Sequence, residues 1–179
     1  MEDPVREIPG VIHALCKTPP KIQQETIDTY FTPDARFLHP FCRAGPSDNS
    51  RWLIWAIFRW YKTMSPHVDL EVESVAFDAG KKRLYVSIHQ SFGIWFVPFW
   101  GNARVKLVTV LDLLYNKERK VYLIDSQEDL YQTNECLRFL IPGGAFIWSL
   151  FQILATYLCV LGTFVFWPVT MWEGKARIG

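Results

Sequence analysis

The stretch YFTPDARFLHPF, Tyr30 to Phe41, decides how the chain is organised. It begins where the helical spacing of apolar residues in the preceding KIQQETIDTYF comes to an end. Its Pro-Asp-Ala run predicts a turn, and RFLHPF predicts a short extended segment. The chain therefore passes here from helix to strand, and the segments on either side can be assigned outward from this point.

Helices are predicted on both sides of this stretch. Two come before it, the first from the recurrence of Val5, Ile8, Ile12 and Leu15 at helical spacing. A long third helix, SRWLIWAIFRWYKTM, follows it. Because this third helix is apolar nearly all round, we expect it to be buried within the domain.

Strands are predicted from residue 68 onward, where the apolar period changes to two. VDLEVESVAFD shifts its phase between Val72 and Val75, which predicts a bulge near Ser74. Three further runs alternate in the same way, and the last of them is KVYLIDSQEDLY. Helices followed by a meander of antiparallel strands predict an α+β fold.

The helix end, the Pro-Asp-Ala turn and the His-Pro pair of the opening stretch resemble the NTF2-like superfamily, which includes SnoaL-type cyclases and ketosteroid isomerases. The resemblance covers about residues 18–135 and implies a cone, in which N-terminal helices pack on a curved antiparallel sheet with a pocket at the open end. It implies no particular reaction, because proteins of this fold have many functions. Four blocks are more narrowly similar to the fungal SigF-like NTF2-like proteins: HPFCR, SRWLIWAIFRWYKTMSP, VESVAFD and SQEDLYQTNE.

An uncharged segment runs from Phe139 to Trp172. Within it, Ala145 to Trp167 has the length of a membrane-spanning helix, which needs roughly 20 apolar residues. A helix buried in the domain is the weaker alternative, since an all-apolar helix needs cover on every side. A hairpin bent near Gly162 is a second alternative. The sequence thus predicts a domain at 1–138, a membrane anchor at 139–172 and a short polar tail at 173–179.

Tryptophans mark both ends of the predicted span and lead us to expect membrane contacts there. Trp148 lies near its start, and Trp167 and Trp172 lie near its end. Only 12 residues follow Trp167, a position typical of a tail-anchored protein, so we expect localisation to a membrane, the endoplasmic reticulum, with the N-terminal domain in the cytosol. The bilayer is then a partner of the chain.

The composition argues against several classes of function. The net charge of +1 does not favour nucleic-acid binding. The four cysteines form no CxxC pair or His/Cys cluster, so no metal site is predicted. No phosphate-binding glycine loop or Ser-His-Asp arrangement is visible, and we expect no cofactor.

Three residues are candidates for acid–base chemistry. His39 occupies a place where NTF2-like enzymes often carry a pocket-facing polar residue, although a histidine bonded to backbone would also fit there. Asp125 and Asp129 continue the alternation of Val121 and Leu123 and are expected to point into the pocket. The alternative is that DSQED is simply a strand end leaving the core.

Aromatic and apolar side chains are expected to line the pocket. The residues predicted for this role are Tyr30, Trp60, Phe92, Ile94, Phe96 and Tyr131. Three of these belong to the uncharged stretch FGIWFVPFWG, whose tip carries Phe99 and Trp100. Because turns are normally polar, we expect Phe99 and Trp100 to touch the membrane or the anchor helix.

Two functional classes remain open from the sequence. The first is a membrane-anchored module that binds a hydrophobic small molecule, a lipid or a protein partner, with a homodimer as one form of partner. The second is a cofactor-free isomerase, cyclase or dehydratase that acts on a hydrophobic metabolite through His39 and Asp125 or Asp129. The binding module is favoured slightly, because no motif specifies an acid–base pair.

Overall fold

The computed structural model describes residues 1–66, 68–93, 103–140 and 143–167. The helices in this part of the chain are α1 (Pro4–Lys17), α2 (Pro20–Tyr30), α3 (Ser50–Met64), α4 (Thr133–Leu140) and α5 (Gly144–Val165). The strands are β1 (Phe31–His39), β2 (Cys42–Ala44), β3 (Asp69–Asp78), β4 (Arg83–Phe92), β5 (Ala103–Asn116) and β6 (Val121–Tyr131). The α+β class expected from the sequence is confirmed.

The six strands form one curved sheet in the order β2-β1-β6-β5-β4-β3. Strands β3 to β6 make the antiparallel meander expected from the sequence. The prediction of an antiparallel sheet is wrong at one place, because β1 pairs with β6 in parallel. No tight turn joins these two strands, so local sequence does not fix their relative direction.

The inner face of the sheet carries the apolar alternation seen in the sequence. Leu84 and Val86 of β4 are fully buried, as is Leu111 of β5. The pairing of β3 with β4 skips one residue between Val72 and Ser74, so the bulge expected near Ser74 is confirmed. Core packing and strand register therefore follow from the same period-two pattern.

The helices α1 and α3 cover this inner face. Our expectation that α3 is buried is wrong. Only Ser50 and Ile54 of α3 are fully buried, while Trp52 is 59% exposed and Trp60 is 61% exposed. An open sheet offers cover to one side of a helix only. The other side of α3 therefore remains a large apolar surface.

The helix α5 is apolar on all sides and exposed on nearly all of them. Phe146 is 68% exposed and Phe164 is 71% exposed, and only Gly144 is buried. By length and composition this is the one helix in the described residues that is suited to cross a membrane. It continues through Gly162, so a hairpin bent at that residue is not formed. Trp172 lies outside the described residues.

Candidate ligand cavity

A cavity of about 280 Å³ lies between the helices and the inner face of the sheet. It is built from the last parts of α1, β1, α3, β4 and β6 and from the first parts of β3 and β5. Its lining residues are Ile12, Leu15, Cys16, Phe37, His39, Phe41, Phe58, Trp60, Tyr61, Lys62, Met64, Val68, Leu70, Ile88, Gln90, Leu107, Thr109, Gln127, Asp129 and Tyr131. Most of this surface is apolar or aromatic, and the polar groups lie mainly on β6 and its neighbours.

His39 lines the cavity at the end of β1 and is held by three hydrogen-bonding groups. The backbone N–H of Phe41 donates to its Nδ1 atom at 3.4 Å, and the Tyr61 hydroxyl lies 3.1 Å from the same atom. Its Nε2 atom lies 3.4 Å from the Tyr131 hydroxyl. A backbone N–H can only donate, so Nδ1 is the acceptor and the neutral ring carries its proton on Nε2.

Burial lowers the pKa of His39 to about 4, so the ring is neutral at pH 7. Its basic nitrogen is already occupied by Phe41 and Tyr61. The geometry therefore gives His39 the role of orienting the Tyr61 and Tyr131 hydroxyls. This is the backbone-bonded histidine that the sequence left open as an alternative.

Asp129 is the carboxylate of the cavity. Its Oδ1 atom accepts hydrogen bonds from the Thr109 hydroxyl at 2.7 Å and from Gln127 Nε2 at 3.1 Å. Burial raises the pKa of Asp129 from an ordinary 3.8 to about 6, although both hydrogen bonds act in the opposite direction. Among the described lining residues, the only lysine is Lys62, whose ammonium donates to the Pro66 carbonyl at 2.8 Å.

Asp125 does not line the cavity, contrary to the sequence prediction. The pairing of β5 with β6 skips Asp125, because Asp112 faces Ser126 and Leu113 faces Ile124. This bulge reverses the alternation, and Asp125 instead meets Arg36 and Thr32, each at 3.4 Å. The two aspartates therefore lie in different environments.

Only some of the other predicted pocket residues are found at the cavity. Trp60 and Tyr131 line the cavity, whereas Tyr30 ends α2 and packs against the core at the opposite end of β1. The Phe92 side chain lies outside the described residues. The same holds for four further residues of the predicted pocket and membrane tip: Ile94, Phe96, Phe99 and Trp100.

Thr109 is a polar cavity residue that was not predicted as a site residue from the sequence. Thr109 interrupts the buried apolar row of β5, and this lone hydroxyl was the signal that could have revealed it. Tyr61 also lines the cavity; its position in an aromatic-rich helix fits a pocket wall and core packing equally well from sequence alone. Within the described residues, no group of three His, Cys, Asp or Glu side chains is placed to hold a metal ion.

A family model for the SigF NTF2-like domain matches residues 1–167. The chain belongs to this family. The resemblance inferred from the sequence is therefore confirmed at the level of the domain family. The match includes the apolar helix α5 as well as the sheet and its helices. A search of curated proteins finds no match.

Solved structures similar to this SigF NTF2-like chain share its fold at low identity. A protein of the SnoaL-like family from Agrobacterium tumefaciens, assigned as an isomerase, has a TM-score of 0.54 and 13% identity, with 71% of this chain and 96% of that chain covered. A SnoaL-like protein from Jannaschia sp., assigned as a polyketide cyclase, gives 0.52 and 14%, with coverages of 72% and 88%. A protein with a ketosteroid isomerase-like fold from Catenulispora acidiphila gives 0.53 and 18%, with coverages of 72% and 90%. These likenesses establish the fold and no more.

The opposed pKa shifts of Asp129 and His39 predict how stability of the SigF NTF2-like chain depends on pH. Between about pH 4 and 6, folded Asp129 keeps a proton that the unfolded chain releases, so its contribution to stability falls as pH rises. Between about pH 4 and 6.5, unfolded His39 binds a proton that the folded chain excludes, so its contribution rises with pH. The two effects largely cancel in the native chain.

Asp129→Asn removes the first effect and leaves the second. We expect the variant's free energy of unfolding to increase from pH 4 to 6.5, relative to the native chain, by about 2 kcal/mol. Denaturant unfolding in a mild detergent, followed by circular dichroism, measures the difference. Asp48→Asn changes an exposed carboxylate and is the matched control. A pH profile of Asp129→Asn that runs parallel to the native one would show that Asp129 titrates normally.

Proposed function

We propose that this chain is a membrane-held module that binds a hydrophobic small molecule or lipid in the cavity. The observation that carries the proposal is the cavity itself, whose walls are apolar and aromatic with a few polar groups on one side. This composition is typical of small-molecule sites, in which apolar walls supply affinity and a few polar groups fix orientation. Its volume of about 280 Å³ lies just below the range of roughly 300 to 1,000 Å³ that is common for such sites.

The exposed helix α5 supports the membrane part of the proposal. Its apolar side chains are exposed on nearly every side of the helix, and their contact with water would cost about 25 cal/mol per Å². A bilayer would remove this cost along the whole of Gly144–Val165. The polar backbone of α5 is satisfied within the helix, as lipid surroundings require.

Filling the cavity tests the binding function. Leu107 is 4% exposed and lines the cavity, whereas Leu114 on the same strand is 53% exposed on the other face. Leu107→Trp is expected to remove the bound molecule, because the larger ring occupies its space. Leu114→Trp makes the same chemical change outside the cavity and is expected to retain it.

The measurement is mass spectrometry of small molecules that co-purify with each protein in mild detergent. Circular dichroism checks that both variants keep the fold. Equal recovery of a compound from Leu107→Trp, Leu114→Trp and the native chain would place its binding outside the cavity. The absence of any compound from the native chain would contradict the proposed function.

Removal of α5 tests the anchoring. We expect the full chain to remain with membranes after extraction with alkaline carbonate, because α5 lies within the lipid. The chain that lacks residues 144–179 is expected to be released into the supernatant. Release of the full chain into the supernatant by carbonate would show that α5 is covered by protein rather than by lipid.

An enzyme is the second candidate function, and Asp129 favours it. A carboxylate with a pKa of about 6 in an apolar cavity is suited to proton abstraction near neutral pH. The Tyr131 hydroxyl, which accepts from His39 Nε2 and keeps its own proton to donate, would then stabilise the developing negative charge on the ligand. Proteins assigned as an isomerase and a polyketide cyclase share the fold, which is consistent with such chemistry.

Asp129→Asn distinguishes the enzyme from the binding module. If Asp129 moves a proton, the native chain is expected to carry the rearranged isomer of a compound that the variant carries unchanged. Chromatography coupled to mass spectrometry separates the two isomers at equal mass. Asp48→Asn makes the same change at an exposed carboxylate outside the cavity, so it is expected to behave as the native chain does. The same isomer in Asp129→Asn and in the native chain would exclude this role.

A further inference from the structure

The cavity has a deep end and an outer end, and its polar side chains lie in a row from one end to the other. On β6, Gln127, Asp129 and Tyr131 follow one another along the inner face. Two residues of a strand span about 7 Å, so Asp129 lies about that far inside the strand end at Tyr131. All strand segments that line the cavity belong to this same end of the sheet. The outer end of the cavity is therefore the end where β6 stops.

The rim at this outer end, defined by Phe41 and Trp60, is apolar and exposed. Both residues line the cavity, and they are 49% and 61% exposed. Leu38 and Leu130 lie beside it on the opposite face of β1 and β6, and each is about half exposed. Exposed apolar residues around a cavity mouth are unfavourable where the mouth opens to water and favourable where it opens to lipid.

Chain continuity brings this end close to the apolar helix. Only Gln132 separates Tyr131 from the start of α4, and α4 in turn contacts α5. The helix α4 also contacts β5, whose first part lines the cavity. The membrane segment therefore departs from the same end of the domain at which the cavity has its rim.

We propose that the rim rests on the bilayer and that the ligand enters the cavity directly from the lipid phase, with its polar end first. This inference deepens the proposed function and rests on it. A cavity of about 280 Å³ is small for a whole lipid, but it accommodates the polar end of one while the tail remains in the bilayer. The surface that covers the rim is thus the lipid bilayer.

The polar groups define the class of ligand. The Asp129 carboxylate accepts hydrogen bonds, and the lysine among the described lining residues, Lys62, directs its ammonium to the Pro66 carbonyl at 2.8 Å. A head that donates a hydrogen bond, an alcohol or an amine, fits this arrangement. A carboxylate or phosphate head is repelled by Asp129. The ligand is thus a lipid with a hydroxyl or amino head.

Tryptophan fluorescence tests the contact between rim and bilayer. Trp60 and Trp52 lie on the same helix with nearly equal exposure, about 12 Å apart along its axis. The full chain is reconstituted in phosphatidylcholine vesicles whose acyl chains carry bromine, which quenches tryptophans that touch lipid. We expect Trp60→Phe to remove about one tryptophan's share of the quenched emission and Trp52→Phe to remove none. Trp167→Phe reports on the end of α5.

Each result of this experiment has a definite meaning. A loss with Trp167→Phe but not with Trp60→Phe would overturn the rim contact and leave the anchoring intact. Equal losses with Trp52→Phe and Trp60→Phe would mean that all of α3 lies on lipid, which also overturns the orientation proposed for the cavity. No loss with any of the three variants would contradict the membrane anchoring on which the inference rests.

The ligand class is tested with vesicles that contain 1-hexadecanol, hexadecylamine or hexadecanoic acid. Mass spectrometry of the re-isolated chain measures what was taken up. We expect the alcohol, the amine or both to be bound, and the acid to be bound about tenfold less, since a second negative charge beside Asp129 is unfavourable. Asp129→Asn is expected to abolish this discrimination, and Leu107→Trp to abolish uptake.

Preference for the acid, or equal uptake of all three compounds, would overturn the assignment of the polar end to Asp129. Uptake that persists in Leu107→Trp would place the compounds outside the cavity and contradict this inference. Failure of the native chain to bind any of the three would also contradict the inference. The proposed function would survive that failure if another compound co-purifies with the native chain.

Discussion

The parallel pairing of β1 with β6 is the constraint on which the cavity depends. It aligns Phe37 with Gln127 and Leu38 with Glu128, so that His39 comes to the level of Asp129. The contact between His39 and Tyr131 joins residues that are 92 positions apart in the chain. The chain between them must close a long loop to form this contact. The polar cluster of the cavity therefore depends on strand pairing between distant parts of the chain rather than on one loop.

Two bulges show what the sequence could predict and what it could not. Near Ser74 the phase shift falls among apolar residues, Val72 and Val75, so it is visible in the pattern. At Asp125 the shift falls within DSQED. The neighbouring residues there are polar, so no apolar alternation is present in which a shift could be seen. The strands, their order in the meander and the inner-face residues were therefore predictable. The separation of Asp125 from Asp129 was not, because it depends on pairing with β5.

The helices α3 and α5 illustrate a second limit of sequence patterns. Both are apolar on most sides, and such a pattern indicates that a helix needs cover without identifying what supplies it. In α3 the Arg51 side chain bonds the Phe31 and Thr32 carbonyls, and Arg59 bonds Gln23, so polar contacts fix one side of it to the domain. The helix α5 has no charged side chain with which to make such contacts. This difference separates a helix of the domain from one suited to lipid.

Burial acts in opposite directions on the acid and the base of the cavity. It favours the neutral forms of both, so the pKa of Asp129 rises while the pKa of His39 falls. At pH 7 this acid and base together therefore carry one negative charge, on the carboxylate bonded by Thr109 and Gln127. An apolar ligand that displaces water would raise the pKa of Asp129 further, whereas a cationic head would lower it. The charge of the cavity thus depends on what occupies it, and this coupling links ligand choice to proton transfer whether the chain binds or catalyses.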